Sequence, residues 1–584
     1  MRRGNTRFPF YLPFTDHCSL LIYLLLKSKQ TTMYILGLNA FTHDASAALL
    51  CDGKIIAYAQ EERFTRLKHD PSFPWNSIQY CLNEAHISLK EITVAAFSWS
   101  PFHKLIPRFL KTFYNIGGGI PRLKSQGSKW LDIINVKGIL EKHGFEGKFY
   151  YVPHHNAHAA ACFYSSSFLE SAILVIDGVG EHATTSLYHG KANSINLLQQ
   201  YYYPDSLGLF YAAITEYLGF KNNDGEGKVM GLAPYGLPEY YNKMKDCLFL
   251  NQNNYKIDTS YFDFAHRWFT KKFEKEFGPA RIENEPITEH HYNIAASAQK
   301  ILEEKIWHFC QELKRITQSD NLCYTGGVSL NCQANHFIWS RKDFKTYYFF
   351  PAAYDAGTSL GAALFAFKDI LNCSDAYSFE HVFWGPAVEK KHGALLAQQY
   401  SLHVQESNNL YEQIARIIAH GKIVGWCMGK TEIGPRALGN RSILADPRKP
   451  EIKDIVNNKI KKREPFRPFA PTILAEKAPE YFHTKEPSPY MMMTLPIAPE
   501  KINEVPSVVH VDGTCRVQTL ERQFNEPYYQ LITEFHALTN VPMILNTSFN
   551  KAGEPLVSNE QDSILSFINS DLDVLVLAGL IITK

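Results

Sequence analysis

A chain of 584 residues is too long for one hydrophobic core and calls for about two to four domains. Hydrophobic residues make up 45% and charged residues 20%, the balance of an ordinary folded globular protein. A net charge of +2 gives no polyanion-binding signature, so no nucleic-acid partner is expected. No stretch reaches the roughly 18 apolar residues of a membrane span. The eleven scattered cysteines, with no C-x-x-C pair, read as reduced thiols of a cytoplasmic protein.

Residues 1–32 read as a disordered or artefactual extension, with translation starting at Met33, because a first strand, Tyr34–Leu38, follows at once. The short apolar run Cys18–Leu26 behind Arg2-Arg3 has the outline of a signal peptide but lacks the small-residue cleavage site. Strands Ala47–Cys51 and Lys54–Gln60 flank Asp52-Gly53, a strong hairpin turn. Glu61-Glu62-Arg63 opens a charged loop to Asp70; these residues and Lys68 fit a surface loop or a ligand site. A helix over Ser77–Ala85 and a strand over Val94–Ser98 follow. Residues 101–147 are weakly patterned and suggest an inserted helical region. Strand Tyr150–Val152 leads into a helix begun by Pro153.

A second subdomain opens at Ala172. It holds a glycine-rich stretch at 224–236 and a helix near Ile294–Lys314. Strand Asn321–Tyr324 runs into Thr325-Gly326-Gly327, and strand Tyr347–Phe350 leads to Asp355-Ala356-Gly357 and an alanine-rich helix. The rhythm breaks over 370–410, which divides the chain into domains at 33–375 and 395–584. The second domain has its own strands, Ile423–Met428 and Pro542–Asn546 among them.

Two segments align without a gap, Leu36 to Leu49 and Leu174 to Leu187, at an offset of 177 − 39 = 138 that pairs Asn39 with Asp177. Each is an apolar strand, a small-residue polar turn and a second strand. A repeat of this kind predicts two similar subdomains facing a cleft, with turns that offer backbone N–H groups to an anion. The alternative is two unrelated hairpins of similar composition. The glycine turns at 325–327 and 355–357 let a phosphate or ribose approach the backbone, so a nucleotide-sized cleft is expected.

His154 and His158 are four apart, which on a helix places both imidazoles on one face at metal-ligand spacing. The zinc-protease motif is absent, since His155 stands where it needs Glu. Asp177 and Asp355 end apolar strands at glycine-rich turns and are the carboxylates to complete a site. Mixed His/Asp ligation suits iron(II), manganese or zinc. The alternative is a capping or solvated histidine cluster. In the C-terminal half, Glu432 to Ser442, Asn458 to Phe469, Asp512 to Arg516 and Asn546 to Asn550 gather arginine, lysine, asparagine and serine. Arginine forks bind phosphate bidentately and lysine adds a point charge. Lys459, Lys461, Lys462, Arg463 and Arg467 form the densest basic run, which fits a phosphate site or a solvated surface.

Together these motifs resemble the O-carbamoyltransferase family of antibiotic and nodulation-factor carbamoyltransferases. The resemblance runs from Met33 to the C-terminus on His43 to Ala47, Glu61 to Arg66, His154 to His158, Gly227 to Gly236, Gly434 to Ser442, Arg463 to Pro471 and Asn546 to Asn550. It implies an α/β protein. The N-terminal domain would be a duplicated actin/Hsp70-like ATPase fold, in the version shared with tRNA threonylcarbamoyl-transfer proteins, and the C-terminal domain a YrdC-like fold. It implies that carbamoyl phosphate and ATP (with Mg) give a carbamoyl-adenylate in the C-terminal domain. The N-terminal domain would then pass the carbamoyl group to an acceptor hydroxyl on a small molecule or glycan, near a bound Fe(II) or other divalent metal. By resemblance, Arg436, Arg441, Lys461, Arg516, Asn546 and Ser548 contact carbamoyl phosphate and ATP. His154, His158, Asp177 and Asp355 ligate the metal, and Lys228, Gly326, Gly327 and Asn331 line the N-terminal nucleotide site. His43 is the candidate general base for the acceptor hydroxyl, and Lys461 and Arg436 are the further catalytic candidates, in the carbamoyl phosphate/ATP site. The rivals are a tRNA threonylcarbamoyl-transferase-like enzyme, an ATP-dependent kinase, or a non-catalytic actin-like nucleotide-binding scaffold. The insert at 101–147 is the expected acceptor-shaping region.

Overall fold

The computed structural model describes residues 32–101, 130–250, 256–264, 267–374 and 379–584. The N-terminal extension and most of the 101–147 insert lie outside those residues.

Two five-stranded sheets carry the N-terminal half. The first holds β1 (Tyr34–Asn39), β2 (Ser46–Cys51), β3 (Lys54–Gln60), β4 (Ile92–Phe97) and β5 (Lys148–Tyr151) in the order β3-β2-β1-β4-β5. The second holds β6 (Glu170–Ile176), β7 (Ala183–Lys191), β8 (Ser194–Tyr202), β9 (Asn321–Thr325) and β10 (Thr346–Phe349) in the order β8-β7-β6-β9-β10. In each, the first three strands are an antiparallel meander and the last two are parallel additions. The internal repeat is therefore a duplicated sheet, and unrelated hairpins are excluded by the matched order and strand directions.

Small residues let the halves come together. Helices His154–Ser165 and Thr358–Phe365 share a core rich in alanine, with Ala157, Ala161, Ala362 and Ala363 fully buried. A Cβ on Gly361 would lie 1.8 Å from the Ala157 carbonyl oxygen, so only glycine permits this crossing.

The C-terminal half is built on one mixed eight-stranded sheet. Its central strands are Val424–Cys427, Arg441–Ala445, Met543–Ser548 and Ala470–Leu474. Strand Phe383–Ala387, from the stretch where the sequence loses its rhythm, pairs with Lys430–Glu432 of this half. The two halves are tied by polar contacts. Arg63 donates to Gly434 O (3.1 Å), Arg66 to Leu556 O (2.6 Å) and Pro555 O (3.0 Å), and Asn335 to Met492 O (2.6 Å).

The surface-loop alternative for Glu61-Glu62-Arg63 is corrected. All three are buried, and Glu62–Thr65 forms a helical turn. Glu61 accepts hydrogen bonds from Asn76 N (3.1 Å), Ser77 N (2.9 Å) and Ser77 Oγ (2.8 Å), so its charge caps the helix Trp75–Ala85. A carboxylate that satisfies orphan helix N–H groups is stable under cover.

Candidate active site

The helix His154–Ser165 starts one residue after Pro153, and His154 and His158 share a face as their spacing requires. Their Nε2 atoms are 3.1 Å apart. Asp177 directly follows β6 and Asp355 follows the loop beyond β10, so the second sheet delivers both carboxylates. His154 Nε2 lies 3.4 Å from both Asp177 Oδ2 and Asp355 Oδ1, and His158 Nε2 lies 3.8 Å from the same two atoms. All four side chains are buried. Metal bonds of about 2.0–2.2 Å place neighbouring ligand atoms at spacings like these.

Two further observations fit a cation. Asp355 Oδ1 is buried without a hydrogen-bond partner, a costly state for a carboxylate oxygen. His154 Nδ1 lies 3.1 Å from Ser98 O, the outer bond that fixes the ring and turns Nε2 inward. His155, the extra histidine, instead bonds Ser186 Oγ at 2.7 Å. Burial and then the charge of His154 push its pKa down to about 3, so it stays neutral.

His43 reaches this cluster from the β1–β2 turn, with Nε2 3.5 Å from Asp355 Oδ2 and Nδ1 2.7 Å from Asp44 Oδ2. Burial lowers its pKa, but Asp355 and then Asp44 outweigh burial and raise it to about 10. Water reaches 45% of this side chain and screens part of that pull. Burial likewise works against His154, and the two aspartates raise it well above its ordinary value. Asp177 and Asp355 are held low, since nearby imidazoles outweigh the effect of burial.

A raised histidine stabilises the fold fully below its unfolded pKa, near 6.5, and that contribution fades as pH rises through the folded value. The depressed aspartates lose theirs only as pH falls below their unfolded value, near 3.9. Chelated, metal-free protein is therefore expected to have a lower urea midpoint at about pH 9 than at about pH 6. An equal or higher midpoint at pH 9 would contradict the charge pattern.

The glycine loop leads away from this cluster. Gly326 has φ +91°, and a Cβ there would meet Ile176 O at 2.2 Å. Gly327 N donates to Asp177 Oδ1 at 3.2 Å. The turn Gly327–Leu330 then brings Leu330 O within 3.3 Å of Arg436 Nη2. Asn331 is not free for a nucleotide. It caps the helix Cys332–Ser340 through Ala334 N (3.0 Å) and exchanges hydrogen bonds with Gln299. Lys228 pairs with Glu464 at 2.6 Å and so touches the C-terminal loop.

Arg436 sits in a cluster of cations at the junction of the halves. Glu432 Oε1 accepts from the backbone N–H of Leu438, Asn440 and Arg441 and folds the intervening loop around itself. Burial and then Arg516 and Arg467 lower the Arg436 pKa to about 9. Lys461 and Arg463 are driven well below their ordinary values by burial and by their arginine neighbours. Crowded, partly desolvated cations of this kind are stabilised by an anion. Lys461 Nζ donates to Ser548 O, to Ser548 Oγ (3.0 Å) and to Asn550 Oδ1 (2.8 Å), so two of the expected residues meet. Lys459 and Lys462 of the same run are exposed.

Arg441 is a correction. It is fully buried, and its guanidinium donates to the carbonyls of Ser558, Met428, Asn440, Pro386 and Gly429 at 2.7–3.2 Å. No donor is left for a phosphate. Asn546 is also buried within the sheet, donating to Ala437 O (3.2 Å) and Thr472 Oγ1 (3.0 Å), while its Oδ1 has no partner.

Residues 34–364 match the family described as Carbamoyltransferase N-terminus, and residues 415–584 match Carbamoyltransferase C-terminus. This chain belongs to the carbamoyltransferase family. It is 39% identical to an uncharacterised protein of Synechocystis over 94% of this chain and 97% of that one. It is 36% identical to nodulation protein NolNO of Sinorhizobium fredii over 94% of this chain and 80% of that protein. Nodulation protein NolO of Bradyrhizobium diazoefficiens is also 36% identical, over 74% of this chain and 78% of its own length. The family makes the chain a carbamoyltransferase enzyme. Among the described residues, no helix is long and apolar enough to cross a membrane.

Proposed function

We propose that this carbamoyltransferase is ATP-dependent, builds a carbamoyl-adenylate in its C-terminal half and passes the carbamoyl group to a sugar hydroxyl in its N-terminal half. The observation that carries this is the connection of two chemically distinct sites. Crowded, partly buried cations around Arg436 and Lys461 lie toward one end of the Gly327–Leu330 turn, which Arg436 touches, and the His/Asp cluster lies at the other.

Atom balance sets the order of events. Carbamoyl phosphate gives phosphate and carbamate with one water. A carbamate oxygen then attacks the α-phosphorus of Mg-ATP and pyrophosphate leaves. Two polyanions must approach each other, which demands fixed positive charge in a water-poor site. Arg436, Arg516 and Lys461 supply it, with Ser548 Oγ beside Lys461 as a neutral hydrogen-bonding group. In the second half-reaction the acceptor oxygen bonds to the carbamoyl carbon and the bond to AMP breaks. His43 Nε2 takes the hydroxyl proton, and Gly326 and Gly327 leave room for the adenylate against the backbone. A divalent cation such as Fe(II), held by His154, His158, Asp177 and Asp355, supplies Lewis-acid polarisation when bound. A cation held on Asp355 would offset the carboxylate charge that raises the His43 pKa, so that His43 Nε2 could accept the hydroxyl proton.

The test is pyrophosphate release from ATP with and without carbamoyl phosphate. Release only with carbamoyl phosphate, matched by an equal amount of phosphate, is expected. ATP binding with no carbamoyl phosphate-dependent pyrophosphate would contradict the carbamoyl-adenylate route.

A further inference from the structure

One carboxylate in the β1–β2 turn is shared by two histidines. Asp44 Oδ2 meets His43 Nδ1 at 2.7 Å, and Asp44 Oδ1 meets His69 Nδ1 at 2.8 Å. Asp44 is 3% exposed, so both oxygens are spent inside the protein. The turn that presents it is built for the purpose. Asp44 has φ +56°, a left-handed conformation that aspartate tolerates better than most residues. Asn39 Nδ2 clamps that turn by donating to His43 O (3.1 Å) and Asp44 O (3.0 Å). Asn39 occupies the place that Asp177 holds in the other repeat, so one copy supplies a ligand and the other braces a histidine. His69 is braced in turn. Its backbone N–H donates to Glu62 Oε2 at 2.9 Å, and its ring Nε2 lies 3.7 Å from Asp224 Oδ1.

Asp44, Glu62 and His69 are close enough to be read as a second metal site. The 2.8 Å contact of Asp44 and His69 is instead a direct hydrogen bond, shorter than the spacing in the His/Asp cluster. Both ring nitrogens of His43 are then assigned. Nδ1–H donates to Asp44, and Nε2 is left facing the Asp355 side of the cluster.

We propose that Asp44 and His69 are positioning residues. Asp44 holds the His43 ring with Nδ1 protonated and Nε2 turned to the acceptor hydroxyl, and His69 holds Asp44. This rests on the carbamoyl-transfer function proposed above. A carboxylate on the remote nitrogen of a catalytic imidazole fixes orientation and tautomer without touching substrate. An amide in its place presents a donor to Nδ1 and favours the tautomer whose Nε2 is protonated and unable to accept.

The experiment uses full-length, zinc-loaded protein in three forms of readout. The first is the ¹⁵N-coupled imidazole proton spectrum, with the His43 Nδ1–H signal identified by its loss in His43→Asn. The second is the first-turnover pyrophosphate burst. The third is AMP release as water discharges the adenylate, water serving as the probe hydroxyl. Asp44→Asn is expected to lose the His43 Nδ1–H signal and slow AMP release by about 100- to 10,000-fold. Its pyrophosphate burst and zinc content should match the parent protein. His69→Leu should slow AMP release by about 10- to 100-fold, and His69→Gln, which keeps a donor for Asp44, should recover most of it. A persisting Nδ1–H signal in Asp44→Asn, or AMP release within about threefold of the parent, would overturn the proposal. Parallel loss of the burst and of zinc would make Asp44 merely structural and would overturn it too. Absence of any burst in the parent protein would instead count against the carbamoyl-adenylate function, while the proton signal still decides the role of Asp44.

Discussion

Replacing His158 by alanine is expected to weaken divalent-metal binding by more than about 100-fold, because changes to partners outside a metal's own ligands already cost 10- to 100-fold. The size follows from the surroundings. Asp177 and Asp355 are both buried, and each relies on imidazole for compensation. Loss of one ring leaves two carboxylates beside a single histidine. Carbamoyl discharge should fall with the metal, while carbamoyl phosphate-dependent pyrophosphate release should persist for the first turnover. Metal content by elemental analysis and AMP release together check this. Full metal content in the variant would remove the His/Asp cluster from the site.

The second large effect is expected at Lys461. Lys461→Met keeps the length of the stem but removes the charge beside Ser548, Arg463 and Arg467. The Lys461 N–H groups are given to Ser548 and Asn550, so the residue acts through its charge, and losing one fixed group that stabilises developing negative charge costs about 100- to 1,000-fold in rate. Pyrophosphate release should fall by that amount, with N-terminal metal content unchanged. Release within about threefold of the parent protein would place phosphate chemistry elsewhere.

The two variants separate the halves because the sequence also separates them. The duplication was legible from one alignment of apolar strands and small-residue turns, since strand, turn and strand leave a local pattern. The His/Asp cluster was legible for a related reason: His154 and His158 are bound by helix periodicity, and Asp177 ends β6, while Asp355 reaches the cluster through a loop six residues beyond β10. What escaped was the fate of polar groups after packing. Arg436 and Arg441 stand five apart in one motif, yet one tops a loop at the domain junction while the other enters a strand and gives its donors to carbonyls. Residue type says that an arginine can bind phosphate and nothing about whether its donors are already spent. Glu61 and Glu62 fitted a surface loop as well as a ligand site, because charged runs usually are solvated, but helix N–H groups and the chain after them hold both carboxylates inside. His69 carried no signal at all. It is 25 residues from Asp44 and 155 from Asp224, so the two contacts exist only after packing.

The central claim is that one adenylate is made beside Lys461 and discharged beside His43. The most direct measurement supplies carbamoyl phosphate labelled with ¹⁴C, ATP and no acceptor, then quenches the protein and separates the nucleotides. Label travelling with AMP is expected in the parent protein, to accumulate further in His158→Ala and to be missing in Lys461→Met. Label that never joins AMP in any of the three, with carbamoyl phosphate still consumed, would contradict the account.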